Sequence, residues 1–162
     1  MTVDEVARLT IFEGLTPEES GTILQCCEMT TARKGQQVIK AGEFADSLFL
    51  VLSGRIEVRF KVEHLYASVE IPLDIIRRGE VCGWSALIPP HKYTLNAYAT
   101  EDSEFLRIER ADLQYCCEAD TRLGYVVMRN IAQILGNRYE LARQMLIGGI
   151  QKDLKKRESK FI

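Results

Sequence analysis

The chain has 162 residues, 46% of them hydrophobic and 27% charged, with a formal net charge of −2. These values suit one globular domain with its own core, exclude a disordered chain, and give no electrostatic case for nucleic acid. No apolar run approaches the roughly 20 residues that span a bilayer, and MTVDEVARLT has the character of neither a signal nor a transit peptide; a cytoplasmic location without membrane association is expected.

The first predicted element is a helix from Pro17 to about Met29. Thr16 can cap it, proline suits the first helical position, and Glu19 completes a capping box. Ile23, Leu24 and Cys27 form its inward stripe, and Gly35 marks the exit. From Gln37 the period falls to two. Gln37–Lys40 reads as a short strand before a turn at Ala41-Gly42-Glu43, and Ser47–Leu52 is an almost continuous apolar strand. Arg55–Val62 alternates throughout, which predicts one buried and one wet face. Ser53-Gly54 between these two strands predicts a hairpin. Glu63–Ser68 is read as a loop and Val69–Ile76 as a strand; after a longer loop come strands at Leu95–Thr100 and Glu104–Ile108, separated by Glu101-Asp102-Ser103. Short strands at this spacing predict a mainly β sandwich or barrel.

The tail is helical. Arg110-Ala111-Asp112-Leu113 begins a short helix, and Asp120-Thr121 can cap a second that runs to about Lys156. That helix, about 50 Å long, outruns a small domain. Its apolar positions Val127, Ile131, Ile134, Leu135, Leu141, Ala142 and Met145 recur at helical spacing, so a seam with a second copy is expected: a parallel homodimer through Thr121–Ile150. The alternative is a helix that folds back over the sandwich or frays past Gly148-Gly149. The expected organisation is a β domain with an N-terminal helix over 1–118, a dimerisation helix over 119–156 and a basic tail over 157–162.

Cysteines stand at 26, 27, 82, 116 and 117, an odd number with two adjacent pairs. The spacing suits neither a metal knuckle nor a disulfide framework, and predicts reduced, mostly buried thiols. A redox or iron–sulfur role, with Cys82 as a loop sensor, is the sharper alternative. His64 and His91 are the only histidines and stand apart. A cupin-type metal enzyme needs clustered His and Glu ligands, and no Ser/His/Asp or Cys/His set has a supportable spacing. Neither an enzyme nor a metal is expected.

The loop Gly79–Thr94 reads GEVCGWSALIPPHKYT. Small residues after Gly83 leave room for a phosphate-sized ligand, and a short helical turn there would present backbone N–H groups to an anion. Around it stand Ile11-Phe12, Gly14-Leu15-Thr16, Glu18-Glu19, Lys34-Gly35, Gly42-Glu43, Leu50-Val51-Leu52-Ser53-Gly54 and Arg78-Gly79-Glu80. In this order, from Ile11 to Ile150, the chain resembles the cyclic-nucleotide-binding domain of the Crp/Fnr superfamily.

The resemblance implies a double-stranded β-helix (jelly roll) with flanking helices and a long C-terminal dimer helix. It also implies that the loop is a phosphate-binding cassette for cyclic AMP or cyclic GMP. Gly83 would allow close approach and Ser85, Ala86 and Leu87 would supply N–H donors, with the Ser85 hydroxyl beside them. Two family positions differ. The glutamate that holds the ribose hydroxyl is Trp84 here, and the arginine that pairs with phosphate falls on Lys92 or Tyr93. Lys92 retains a point charge without bidentate geometry, and Trp84 offers a stacking face and one N–H donor. In a rebuilt pocket Lys92, Tyr93 and Thr94 would serve the phosphate, while Asn137 and Arg138 sit where the helix contacts the base. In a dead pocket Trp84 is simply core, and the domain serves as a dimerisation or interaction module. After the long helix too few residues follow for a helix-turn-helix. The chain alone is not expected to bind DNA; it is expected to sense a small-molecule effector and pass the signal to a downstream protein partner.

Overall fold

Thr16 and Glu19 form the capping box that the sequence predicts: the Thr16 hydroxyl accepts from the Glu19 N–H, and the Glu19 carboxylate accepts from the Thr16 N–H at 2.7 Å. The helix they open, α2 (Pro17–Gln25), is the second of the chain. A single turn, α1 (Val3–Val6), precedes it under its own Thr2–Glu5 capping box, followed by a 3-10 turn at Thr10–Phe12. The computed structural model describes residues 2–64 and 67–158.

Helix α2 stops four residues short of expectation, because Cys27–Ala32 is strand β1. Cys26 leaves the helix, and the next six residues pair along their whole length with β8 (Ser103–Glu109), from Cys27 opposite Ile108 to Ala32 opposite Ser103. Pairing decides here over local helix propensity. Next come β2 (Gln37–Ile39), β3 (Ser47–Ser53), β4 (Ile56–His64), β5 (Ala67–Ile76), β6 (Val81–Cys82) and β7 (Asn96–Ala99). They form two four-stranded antiparallel sheets, in the orders β1-β8-β3-β6 and β2-β7-β4-β5. This is the mainly β jelly roll expected from the sequence.

The hairpin predicted at Ser53-Gly54 does not form. Strands β3 and β4 belong to different sheets, and the chain crosses between them at Gly54. Gly54 has φ +84, and a Cβ there would lie 2.7 Å from the Asp102 carbonyl oxygen, so only glycine fits the corner. The Arg55 N–H then bonds to Ser103 Oγ at 3.2 Å. The hairpin that does form joins β4 to β5, with Glu63 opposite Ser68, inside the stretch read as a loop; Leu65 and Tyr66 lie outside the described residues. Pro72 is tolerated in β5 because that strand is the sheet edge. The buried face expected along β4 is also only half realised. Ile56 and Val58 are buried, but β7 pairs no further than Arg59, and beyond it Phe60, Val62, Val69 and Ile71 form an exposed cross-strand ladder.

Two helices close the domain: α3 (Arg110–Ala119) and α4 (Thr121–Glu158), the latter about 57 Å long. Asp120 caps α4 through Oδ1, which accepts from the N–H groups of Arg122 and Leu123. The seam predicted on α4 divides in two. Val127 and Ile131, assigned to a partner, are buried against this chain's own core together with Leu123 and Val126, while Leu141, Ala142 and Met145 are exposed. Asn130 locks the docked half by donating to the carbonyls of Ile11 and Glu13 at 3.1 and 2.9 Å. Arg122 pairs with the buried Glu19 carboxylate and donates to the Gly14 carbonyl. Of the expected basic tail, 159–162 lie outside the described residues. None of the described helices is long and apolar enough to cross a membrane.

Two stability measurements test this packing. Gly54→Ala should cost about 2 kcal/mol or more in urea unfolding, because it adds both a left-handed strain and a clash with backbone. Glu19 is held below its ordinary value of 4.5, first by the hydrogen bond from Arg122 and then by the Thr16 backbone. Its stabilisation is therefore complete above the unfolded value and lost as pH falls through the lowered one. Stability measured from pH 7 down to pH 3 should converge between the wild type and Glu19→Gln at the acid end; parallel curves would show that Glu19 contributes no such linkage.

Candidate functional site

The loop begins at Gly79, whose carbonyl accepts both the N–H and the hydroxyl of Thr10, and whose N–H donates to Val51. Strand β6 then runs beside β3 and ends at Gly83. Gly83 has φ +82, and a Cβ on it would stand 2.8 Å from the Ser47 carbonyl oxygen. No other residue fits that approach. From Gly83 the chain winds into a 3-10 turn, Trp84–Leu87, in which the Ala86 N–H already donates to the Gly83 carbonyl. The N–H groups of Trp84 and Ser85 precede any carbonyl within the turn, so they are its open donors. The turn is closed by His91, in a left-handed conformation with φ 56 and with Nδ1 2.9 Å from the Ala86 carbonyl.

The structure separates the residues that the sequence groups together. Gly83, Trp84, Ser85, Tyr93, Thr94 and Arg138 line one cavity, floored by Ile39, Val58 and Ala97 from the sheets and by Leu95 just before β7. Its volume is about 30 Å³, room for little more than a water molecule. Asn137 lines a second cavity of about 230 Å³ with Thr10, Asp74, Glu80, Ile134 and Leu141. Arg138 borders both, and its guanidinium donates to the Val81 carbonyl at 3.5 Å. Ala86 and Leu87 face the other way, toward α3 and α4, into a cavity with Leu113 and Met128. Lys92 is exposed and does not line the first cavity; its backbone forms an antiparallel bridge with Phe44.

Trp84 is half-buried and packs against the core. Tyr93 is buried, and its hydroxyl donates to the Ser47 carbonyl at 2.8 Å while accepting from the Ser47 N–H at 3.3 Å. Burial pushes its phenol up to about 12. Cys82 lies inside the core, and burial raises its thiol to about 12. Burial inside the core counts against the reading of Cys82 as a loop redox sensor, because an oxidant has little access to a thiol shielded from solvent. Among the described residues no group of three or more His, Cys, Asp or Glu is placed to hold a metal ion. Sequence reasoning missed the apolar floor, although Ile39 and Val58 are inward positions of strands it recognised. It also missed Thr10, Asp74 and Glu80, which only tertiary structure brings to α4.

A family model for the cyclic nucleotide-binding domain matches residues 29–120, more than half of the chain. The chain belongs to the cyclic nucleotide-binding domain family. It is 30% identical over 128 residues to the cyclic AMP receptor protein of Thermus thermophilus, covering 79% of this chain and 56% of that protein. It therefore spans little more than half of that relative's length. Among solved structures it is similar to the catabolite activator protein of Thermus thermophilus, with a TM-score of 0.70 at 28% identity over 85% of this chain and 61% of that one. A cyclic nucleotide-binding domain from Methylobacillus flagellatus shares the fold at a TM-score of 0.78 and 19% identity, covering 89% and 82% of the two chains.

The clamp on Tyr93 is directly testable. Tyr93→Phe removes the partner of both polar groups of the buried Ser47 backbone, and should lower unfolding stability by about 1–3 kcal/mol in denaturant titration. A loss below about 0.5 kcal/mol would mean that water replaces the hydroxyl.

Proposed function

We propose that this chain is a ligand-sensing regulatory module that takes a cyclic nucleotide, or a related small anionic effector, at the Gly83–Ser85 turn. The observation that supports this most is the position of Arg138. Among the described residues it is the only charged side chain bordering the first cavity, and it comes from α4 rather than from the cassette strand. An anion on the open N–H groups of Trp84 and Ser85 would find its counter-charge there, in a charge-assisted pair. Thr94 and Ser85 add hydroxyls, and the adjoining cavity beside Asn137 and Leu141 gives the rest of the ligand a place. At about 30 Å³ the first cavity is far below the roughly 300 Å³ of a ligand pocket. Binding therefore requires Arg138 and Trp84 to move, which transmits occupancy to α4.

The distal half of α4 carries Leu141, Met145, Ile150 and Leu154 exposed, and a second copy is the partner this reading assigns to it. A downstream protein then reads the helix pair, from a regulatory rather than a catalytic module. The same small cavity favours a second reading, in which Trp84 fills a site that no longer binds and the domain serves as an interaction module.

A thermal-shift titration against cyclic AMP, cyclic GMP and cyclic dinucleotides, with tryptophan fluorescence read in parallel, decides between them. Binding at 100 times the dissociation constant should add about 2.7 kcal/mol of stability and change the emission of Trp84, the only tryptophan. Arg138→Gln should weaken the response at least about tenfold without changing the melting temperature of the free protein. No response to any of these nucleotides would favour the filled site.

A further inference from the structure

The sulfur atoms of Cys26 and Cys116 lie 3.3 Å apart, although 90 positions separate the two residues in the chain. Cys26 is the residue on which α2 ends, and Cys116 is buried on the inner side of α3. The two differ in exposure. Cys26 is half-buried and borders a surface groove of about 220 Å³ with Gln25, Cys27, Arg107 and Asp112, while Cys116 stands behind it. An outside reagent therefore meets Cys26 first, with a second thiol already in contact.

We propose that Cys26 and Cys116 form a reversible intramolecular disulfide when the chain meets a low-molecular-weight disulfide. The Cys26 thiolate attacks one sulfur of the reagent, forming a mixed disulfide and releasing one reagent thiol. Cys116 then loses its proton, attacks the Cys26 sulfur and displaces the second reagent thiol. The two protein thiols give up two electrons and two protons, and the reagent disulfide takes both to become two thiols.

The other cysteines are placed differently. Cys27 donates its thiol to the Ile23 carbonyl at 3.1 Å, and burial raises it to about 12. Cys82 is sealed in the core, and Cys117 borders the separate cavity beneath Leu87. Burial and the neighbouring Cys26 also raise Cys116 to about 12, which suits the slower, resolving role. The bond would join the end of α2 to α3. Helix α3 in turn packs on the start of α4, where a Cβ on Gly124 would lie 2.7 Å from the Cys117 carbonyl oxygen. The clip thus fixes the base of the long helix, independently of whether the cassette binds a ligand.

The test is incubation of the reduced full chain with oxidised glutathione, followed by intact-mass measurement and peptide mapping. The proposal expects a mass lower by two hydrogens, a single cross-link between Cys26 and Cys116, and three of the five cysteines still open to alkylation after unfolding. Dithiothreitol should reverse all three changes, and the oxidised form should melt several degrees higher, because the bond closes a long loop. Cys116→Ser should stop at a stable glutathione adduct on Cys26, whereas Cys27→Ser and Cys117→Ser should cross-link as the wild type does. An unchanged mass in the folded wild type, or a cross-link mapped to Cys27 or Cys117, overturns the proposal. The mapping needs only wild-type protein, so it stands even where a variant does not fold.

Discussion

One buried residue holds the candidate site in shape. The Ser47 backbone meets both ends of the cassette: its carbonyl lies so close to Gly83 that no side chain fits, and the same carbonyl accepts the Tyr93 hydroxyl. The Ser47 N–H donates back to that hydroxyl, and the side chain of Ser47 bonds to Asp46. A buried serine at the start of a strand is thereby the anvil on which a whole loop is bent. The prolines and the left-handed His91 act between these two fixed points. Because both contacts involve backbone, the turn is set by the fold and does not wait for a ligand to organise it.

The second constraint is the division of α4. Its first turns belong to the domain core through Leu123, Val127 and Ile131, with Asn130 satisfying carbonyls of the N-terminal segment. Its distal turns expose Leu141, Met145, Ile150 and Leu154. Arg138 stands between these regimes, at the level of the cassette, and touches β6 through Val81. A rod anchored at one end converts a small displacement near its middle into a larger one at its far end. Thr10 and the Gly79 carbonyl tie the N-terminal segment to the same loop.

Much of this architecture was legible in the chain. The Thr16–Glu19 box, the alternation after Arg55 and the Asp120 cap are local signals, and each marks a boundary that the structure keeps. What failed was long-range. Cys27–Ala32 has only one buried residue, so no alternation betrays β1, which exists because β8 lies beside it. Ser53-Gly54 is a turn by composition, but whether a turn returns within a sheet or crosses to another depends on what each strand pairs with. The apolar period of α4 does not say which copy of the chain it will meet, and so Val127 and Ile131 were assigned outward. At the site, the family resemblance put Lys92 or Tyr93 at the phosphate position, whereas the first cavity is lined by Tyr93 and Arg138 and not by Lys92.

Because Arg138 borders the cassette cavity and rides on the helix assigned to dimerisation, occupancy and self-association share one coordinate on the proposed reading. Linkage of this kind is reciprocal: whatever the ligand does to the pairing of two chains, the pairing does to the affinity for ligand, by the same factor. The apparent dissociation constant then becomes a function of how much protein is present. A dilute chain and a concentrated one would report different sensitivities to the same effector, and the abundance of the sensor would itself be part of its signal.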